Sequence, residues 1–127
     1  METINTALDT ICYSTIINLD IKLVNKEMTL ELLLTEDGKV TPHTLKFLNC
    51  SSFLWLEKTK GNNIYNCSGC AYWELSAVTL KKITSHTDDK WLKEYPLTYN
   101  VAVEIWDSAF LILASEMILD ECQYIIP

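Results

Sequence analysis

The chain contains no arginine: its 10 basic residues are all lysine, set against 17 acidic residues for a formal net charge of -7. Without the guanidinium fork that makes bidentate contacts to phosphate and guanine, and without clustered cations to release counterions, a nucleic-acid partner is not expected. Glycine and proline are scarce, 3 of each, which excludes collagen-like and low-complexity classes. A 49% hydrophobic and 21% charged composition excludes a disordered chain. Long hydrophobic runs are also missing. The longest, Ala109 to Ala114, is far too short to span a bilayer as a helix, and the N-terminus, Met-Glu-Thr-Ile-Asn-Thr, has no basic stretch followed by an apolar one. These absences point to a soluble, cytoplasmic protein with no membrane partner. The cysteines (Cys12, Cys50, Cys67, Cys70 and Cys122) are odd in number; with no export signal they are expected to be reduced thiols, mostly small buried hydrophobes.

What the sequence does contain is periodicity. Its 127 residues suit one domain spanning 1–127, long enough to close a single core. Ile4, Ala7, Leu8, Ile11 and Cys12 recur at helical spacing behind Thr3, a suitable N-cap, which predicts a short N-terminal helix. From Ile17 the period becomes two: Ile17, Leu19, Ile21 and Leu23 form one run, and Met28, Leu30, Leu32 and Leu34 a second, with Asn25-Lys26-Glu27 between them. Asp37-Gly38 predicts a tight turn into a third strand whose core face carries Leu45 and Phe47, with Pro42 at its start or edge. Asn49-Cys50-Ser51-Ser52 predicts a bulge or corner before the apolar Phe53 to Leu56, where a strand switches faces between two layers. Residues 58–69 read as a loop and Tyr72 to Ile83 as a strand of mixed phase. Residues 84–96 are polar. Val101, Val103 and Ile105 alternate before an Asp107-Ser108 turn, and Phe110 to Leu119 returns with a break at Ser115-Glu116. About six to eight short strands without a βαβ rhythm predict a mainly β (α+β) fold: an antiparallel sandwich or partly open barrel with one short N-terminal helix.

Chemistry-bearing motifs are few. Cys67-Ser68-Gly69-Cys70 has the spacing of half a zinc site or a redox pair, but no second pair exists, and only Cys50 and His86 could complete it. The pair is read as structural, with Cys67 and Cys70 as a minority metal candidate and no cofactor expected. His43 and His86 have no serine, cysteine or carboxylate at catalytic spacing and are read as surface or loop side chains. The chain is therefore not expected to be an enzyme.

Large aromatics and charge are more informative. Trp55, Trp73 and Trp106 lie in strand-like runs and are expected to pack in the core. Trp91 lies in the polar segment with Asp88, Asp89 and Tyr95, and either anchors a partner or pins that loop to the core. Beyond Lys93 there is no lysine, and Glu104, Asp107, Glu116, Asp120 and Glu121 stand unopposed. They are either solubilising charge or a face that steers a basic partner. The expected partner-binding set is Asp88, Asp89, Trp91, Tyr95, Asp107, Glu116, Asp120 and Glu121.

Taken together, the N-terminal helix, the hairpin ending in Met28-Thr-Leu-Glu-Leu, the Leu45-Lys-Phe-Leu-Asn-Cys-Ser-Ser-Phe segment, Trp73-Glu-Leu-Ser and Val103-Glu-Ile-Trp-Asp-Ser resemble the YxiG-like group of small Gram-positive bacterial proteins over nearly the whole chain. That resemblance implies a small intracellular protein similar to immunity proteins, which neutralise toxin domains encoded beside them. It fixes no functional residue. The function expected is a protein-binding module that blocks a basic toxin domain through an acidic surface. The alternative is a small-molecule-binding or structural β-domain with an aromatic-lined interior. A homodimer is open to it through an exposed edge strand.

Overall fold

The computed structural model describes residues 3–57, 73–84 and 98–127. It begins with helix α1 (Ile4–Asp9), followed by β1 (Thr15–Lys22), β2 (Glu27–Glu36), β3 (Lys39–Leu48), β4 (Ser52–Leu56), β5 (Trp73–Thr84), β6 (Thr98–Ile105), β7 (Ser108–Leu113), β8 (Glu116–Leu119) and β9 (Cys122–Ile125). These strands form one open antiparallel sheet in the order β4-β7-β6-β5-β1-β2-β3-β8-β9. The mainly β architecture and the single short helix agree with the sequence pattern.

Each local element follows from its residues. The Thr3 side chain accepts the Thr6 amide and so caps α1, whose Ala7 and Leu8 are buried. The helix end is tied to β5: the Tyr13 amide donates to the Leu75 carbonyl, and the Leu75 amide donates to that of Ser14. In the β2–β3 hairpin Glu36 opposes Lys39. Both intervening residues, Asp37 and Gly38, take positive φ, the requirement of the two-residue turn whose twist matches that of the strands. Met28, Leu30 and Leu32 of β2 face Phe47, Leu45 and His43 of β3, and the three β2 residues are buried with Leu45 and Phe47.

β1 departs from strict alternation. Its pairing with β2 shifts between Ile16 and Asn18, so Ile17 sits on a bulge and is exposed while Ile16 is buried. Leu23 lies beyond the strand, in the turn, and is 70% exposed. Pro42 sits in mid-strand, but on a stretch of β3 that extends past β8, which pairs only Leu45 to Leu48. Thr44 and Leu48 bond toward the β8 side, so by alternation Pro42 presents its nitrogen to the open side, where a missing N–H costs no ladder bond.

The expected corner after β3 is present, and it is shared by two strands. β3 pairs with β8 at Leu48 and Glu116, while the continuations of both strands, β4 and β7, pair at Ser52 and Leu113. Two bonds lock the bend, from the Ser51 amide to the Leu113 carbonyl at 2.9 Å and from the Ser115 amide to the Leu48 carbonyl at 3.2 Å. Asn49 turns through positive φ and donates its side-chain amide to the Ser115 hydroxyl at 3.0 Å. Asn100 closes the other side: its amide donates to the Ala114 carbonyl at 2.7 Å and its oxygen accepts the Ala114 amide at 3.0 Å. The strand pair thus passes from one half of the sheet to the other. The halves meet again at β1 and β5, through Thr15–Glu74 and Ile16–Trp73. One core draws on both, including Met28, Leu45, Phe47 and Met117 from one half and Leu75, Val101, Val103 and Ile112 from the other.

Candidate functional site

Two surface features stand out, an aromatic cluster on β4, β5 and β7 and an acidic hairpin formed by β8 and β9. The aromatic cluster follows from register. Phe110 opposes both Val103 of β6 and Trp55 of β4; since Val103 is buried, Phe110 and Trp55 share the core-facing side of the sheet. Trp73 opposes buried Ile16 and so faces the same way. The Trp55 and Trp73 rings stack with centroids 5.5 Å apart and planes inclined by 12°. Phe110 lies against Trp55 at 4.6 Å, tilted by 45°. Two strands separate β4 from β5 in the sheet, which would put them about 14 Å apart if it were flat. Ring contact therefore requires the sheet to curl and the indoles to lean across its concave side.

This cluster is not closed off from solvent. Trp73 is 41% exposed, and Trp55 and Phe110 are partly buried against the core. The Trp55 indole N–H donates to Glu57 Oε1 at 3.1 Å, which orients the ring and leaves a carboxylate at its rim. Glu74 follows Trp73 on β5 and opposes Thr15, so it points to the other face of the sheet. The expectation that Trp55, Trp73 and Trp106 pack in the core is corrected for Trp73, which is exposed, while Trp55 and Trp106 are partly buried and packed against the core. Trp106 also occupies a turn and not a strand. Ile105 opposes Ser108, so the hairpin turn is Trp106-Asp107, with Trp106 at positive φ, one residue earlier than anticipated.

On the acidic hairpin, Asp120-Glu121 forms a two-residue turn, since Leu119 opposes Cys122. Asp120 reaches back to β3. Its amide donates to the Thr44 carbonyl at 2.8 Å, its Oδ1 accepts the Thr44 amide at 3.0 Å, and its Oδ2 pairs with His43 Nδ1 at 2.9 Å. Glu116 accepts the Gln123 side-chain amide at 3.0 Å. Of the two alternatives for His43, surface or loop, the loop is corrected: it lies on a strand, is partly exposed and is held by a carboxylate. Its place two residues from Leu45 on the core-facing period was the signal that could have shown this.

The expected partner-binding residues therefore divide. Glu116, Asp120 and Glu121 gather on one hairpin, whereas Asp107 lies in the β6–β7 turn. Asp88, Asp89, Trp91 and Tyr95, the Cys67 and Cys70 pair, and His86 lie outside the described residues. Of the other thiols, Cys50 is buried, and burial, with a smaller contribution from Glu27, pushes it up to about 11. Cys12 is raised in the same direction by burial and by Asp9. Both are poor nucleophiles at neutral pH. Among the described residues, no three His, Cys, Asp or Glu side chains are grouped to hold a metal ion, and no helix is long and apolar enough to cross a membrane.

The order of elements, from the helix through the shared corner to the terminal hairpin, can now be set against known proteins. A family model described as YxiG-like protein matches residues 4–124. The chain belongs to the YxiG-like family. The match runs from the first residue of α1 into β9, so both the aromatic cluster and the acidic hairpin fall within the YxiG-like region. Among curated proteins, none matches the chain.

Proposed function

We propose that this YxiG-like chain is a cytoplasmic protein-binding module that neutralises a toxin domain, in the manner of an immunity protein, by covering a basic cleft with an acidic, aromatic-anchored surface. The observation that carries the reading is the half-exposed Trp55–Trp73 stack with Glu57 at its rim. A large aromatic ring held rigid by a second ring loses little entropy on binding, which is why such side chains dominate interface energetics. The Glu57 carboxylate, on a chain of net charge -7, attracts a basic partner and repels acidic ones. Asp107, Glu116, Asp120 and Glu121 carry the same sign of charge, and the reading includes Asp88, Asp89, Trp91 and Tyr95, which lie outside the described residues. The reading also takes the two half-sheets as facing layers of a sandwich or partly open barrel around the shared core.

The test is growth rescue: the chain is expressed with the toxin-like domain encoded beside it, and viability is followed. Rescue is expected, and Trp73→Ala should weaken the purified complex by about 30-fold, as for an interface anchor, while the folded state persists. An active toxin left unopposed by the wild-type chain refutes the proposal.

A second reading, a small-molecule-binding β-domain, draws on the placement of Trp55, Trp73 and Phe110 on the concave side of the sheet. It predicts saturable quenching of tryptophan emission by an apolar ligand, with loss of that quenching in Trp55→Ala.

A further inference from the structure

Two stretches of open edge on either side of β8, one on β3 and one on β9, are treated very differently by the sequence. Where β3 runs past β8, from Lys39 to His43, the edge carries a lysine and Pro42, and Asp120 closes it at Thr44. These are the usual means by which a protein prevents another strand from adding there. At β9, the far edge of the sheet, β8 is its one strand neighbour among the described residues. Its sequence, Cys-Gln-Tyr-Ile, contains neither a charge nor a proline.

Hydrogen-bond parity shows which backbone groups β9 offers. The Ile126 amide donates to the Ser115 carbonyl at 3.0 Å, and Leu119 opposes Cys122 across the turn. Residues 122, 124 and 126 therefore bond toward β8, and Gln123 and Ile125 point their N–H and C=O groups outward. Ile125 is 80% exposed and Gln123 is exposed. Among the described residues, the charge on this hairpin has one sign. Glu121 is exposed beside it, with Glu116 and Asp120 on the same hairpin. The nearest lysine in the sheet, Lys46, is two strands away opposite Ile118 and is engaged by Glu27 at 3.9 Å. A second copy of this chain would bring the same acids against themselves.

We infer that β9 is a strand-addition edge whose occupant is an extended, lysine- or arginine-bearing segment of another protein, paired through the outward backbone groups of Gln123 and Ile125. This rests on the protein-binding reading above and names the part of the surface that does it. The edge supplies main-chain bonds, and the neighbouring acids select for basic side chains on the added strand.

The test uses a labelled peptide of alternating lysine and valine, its glutamate–valine counterpart, and the full chain. Gln123→Pro removes an outward N–H and leaves every backbone bond to β8 in place, losing only the exposed side-chain bond to Glu116, so the fold should be kept and strand addition lost. The lysine peptide should bind, slow amide hydrogen exchange at Gln123 and Ile125, and bind at least about tenfold more weakly to Gln123→Pro, while the glutamate peptide should not bind. Absence of lysine-peptide binding, or binding unchanged in Gln123→Pro, overturns the inference. So does a wild-type dimer that Gln123→Pro dissociates, because the occupant would then be a second copy. If the wild-type chain and Gln123→Pro rescue growth equally well, the edge is dispensable while the protein-binding reading stands. Failure of the wild-type chain to rescue refutes that reading itself.

Discussion

The bend that carries β3 and β7 from one half of the sheet to the other depends on one side chain whose contribution can be calculated and tested. The Asn100 amide occupies the place of a strand neighbour for Ala114, giving one bond at 2.7 Å and taking one at 3.0 Å, and Ala114 is 3% exposed. Asn100→Ala removes both. Each backbone group left unsatisfied in such a place costs about 1–3 kcal/mol, so a total loss of about 2–4 kcal/mol is expected once partial access of water is allowed for. With a urea dependence of about 2 kcal/mol/M, appropriate for a small domain, the unfolding midpoint followed by tryptophan emission should fall by about 1–2 M. Asn100→Asp separates the two bonds. It keeps an acceptor for the Ala114 amide but replaces the donor with an oxygen facing the Ala114 carbonyl, so the ionised carboxylate is disfavoured and only its protonated form can donate. Its folded-state pKa must therefore lie above the unfolded value. In that window the unfolded state binds fewer protons, so stability falls as pH rises from the unfolded to the folded pKa. Relative to wild type, the deficit of Asn100→Asp should shrink on acidification, whereas that of Asn100→Ala should not. Equal, pH-independent losses below about 0.5 kcal/mol, the level of an ordinary surface change, would refute the account of the corner.

Other outcomes follow from the same structure. Cys50, raised by burial to about 11, ionises later in the folded chain than in the unfolded one; stability should decline between the ordinary thiol value of 9.0 and about 11, and Cys50→Ala should flatten that decline in urea titrations across the range. In native protein at pH 8, exposed Cys122 should react with a thiol reagent well before Cys50, and comparable rates would contradict the burial. The stacked indoles of Trp55 and Trp73 should give a paired positive and negative exciton band in far-ultraviolet circular dichroism. Trp73→Ala should abolish it while costing only about 0.5–1.5 kcal/mol beyond lost area, the scale of an aromatic pair.

The sequence carries the strands wherever one face is buried without interruption. Met28, Leu30, Leu32, Leu45 and Phe47 keep a strict period of two and are buried as that period requires, and Asp37-Gly38 makes its turn because the backbone needs two positive φ values there. Legibility ends where local chemistry overrides the period. The bulge at Ile17 shifts the phase of β1 by a residue, and no residue type marks it. Trp106 is apolar and follows Ile105 as a strand residue would, yet it takes a left-handed turn position. The aromatic cluster was hidden for a different reason. The stack depends on how far the sheet curls, a property of nine strands together that no window of sequence contains. His43 and Asp120 are likewise joined by strand order, since β3 meets β8 only after four intervening strands of chain.

Strand order also explains why the two surface features belong to one functional argument. β7 and β8 are a single run of chain bent at Ala114 and Ser115, with Phe110 of the aromatic cluster before the bend and Glu116 of the acidic hairpin after it. Asn100, Asn49 and the Ser51 and Ser115 amides fix that bend with hydrogen bonds, so the cluster and the hairpin are held by the same corner. A partner that engages both acquires its contacts on a surface already rigid, which lowers the entropy lost on association. Weakening the corner should therefore reduce partner affinity even though Asn100 touches neither feature. Asn100→Ala, examined in a complex at temperatures where it remains folded, separates this effect from simple unfolding: a weaker complex supports a surface organised by the bend, and an unchanged one shows that each feature binds independently.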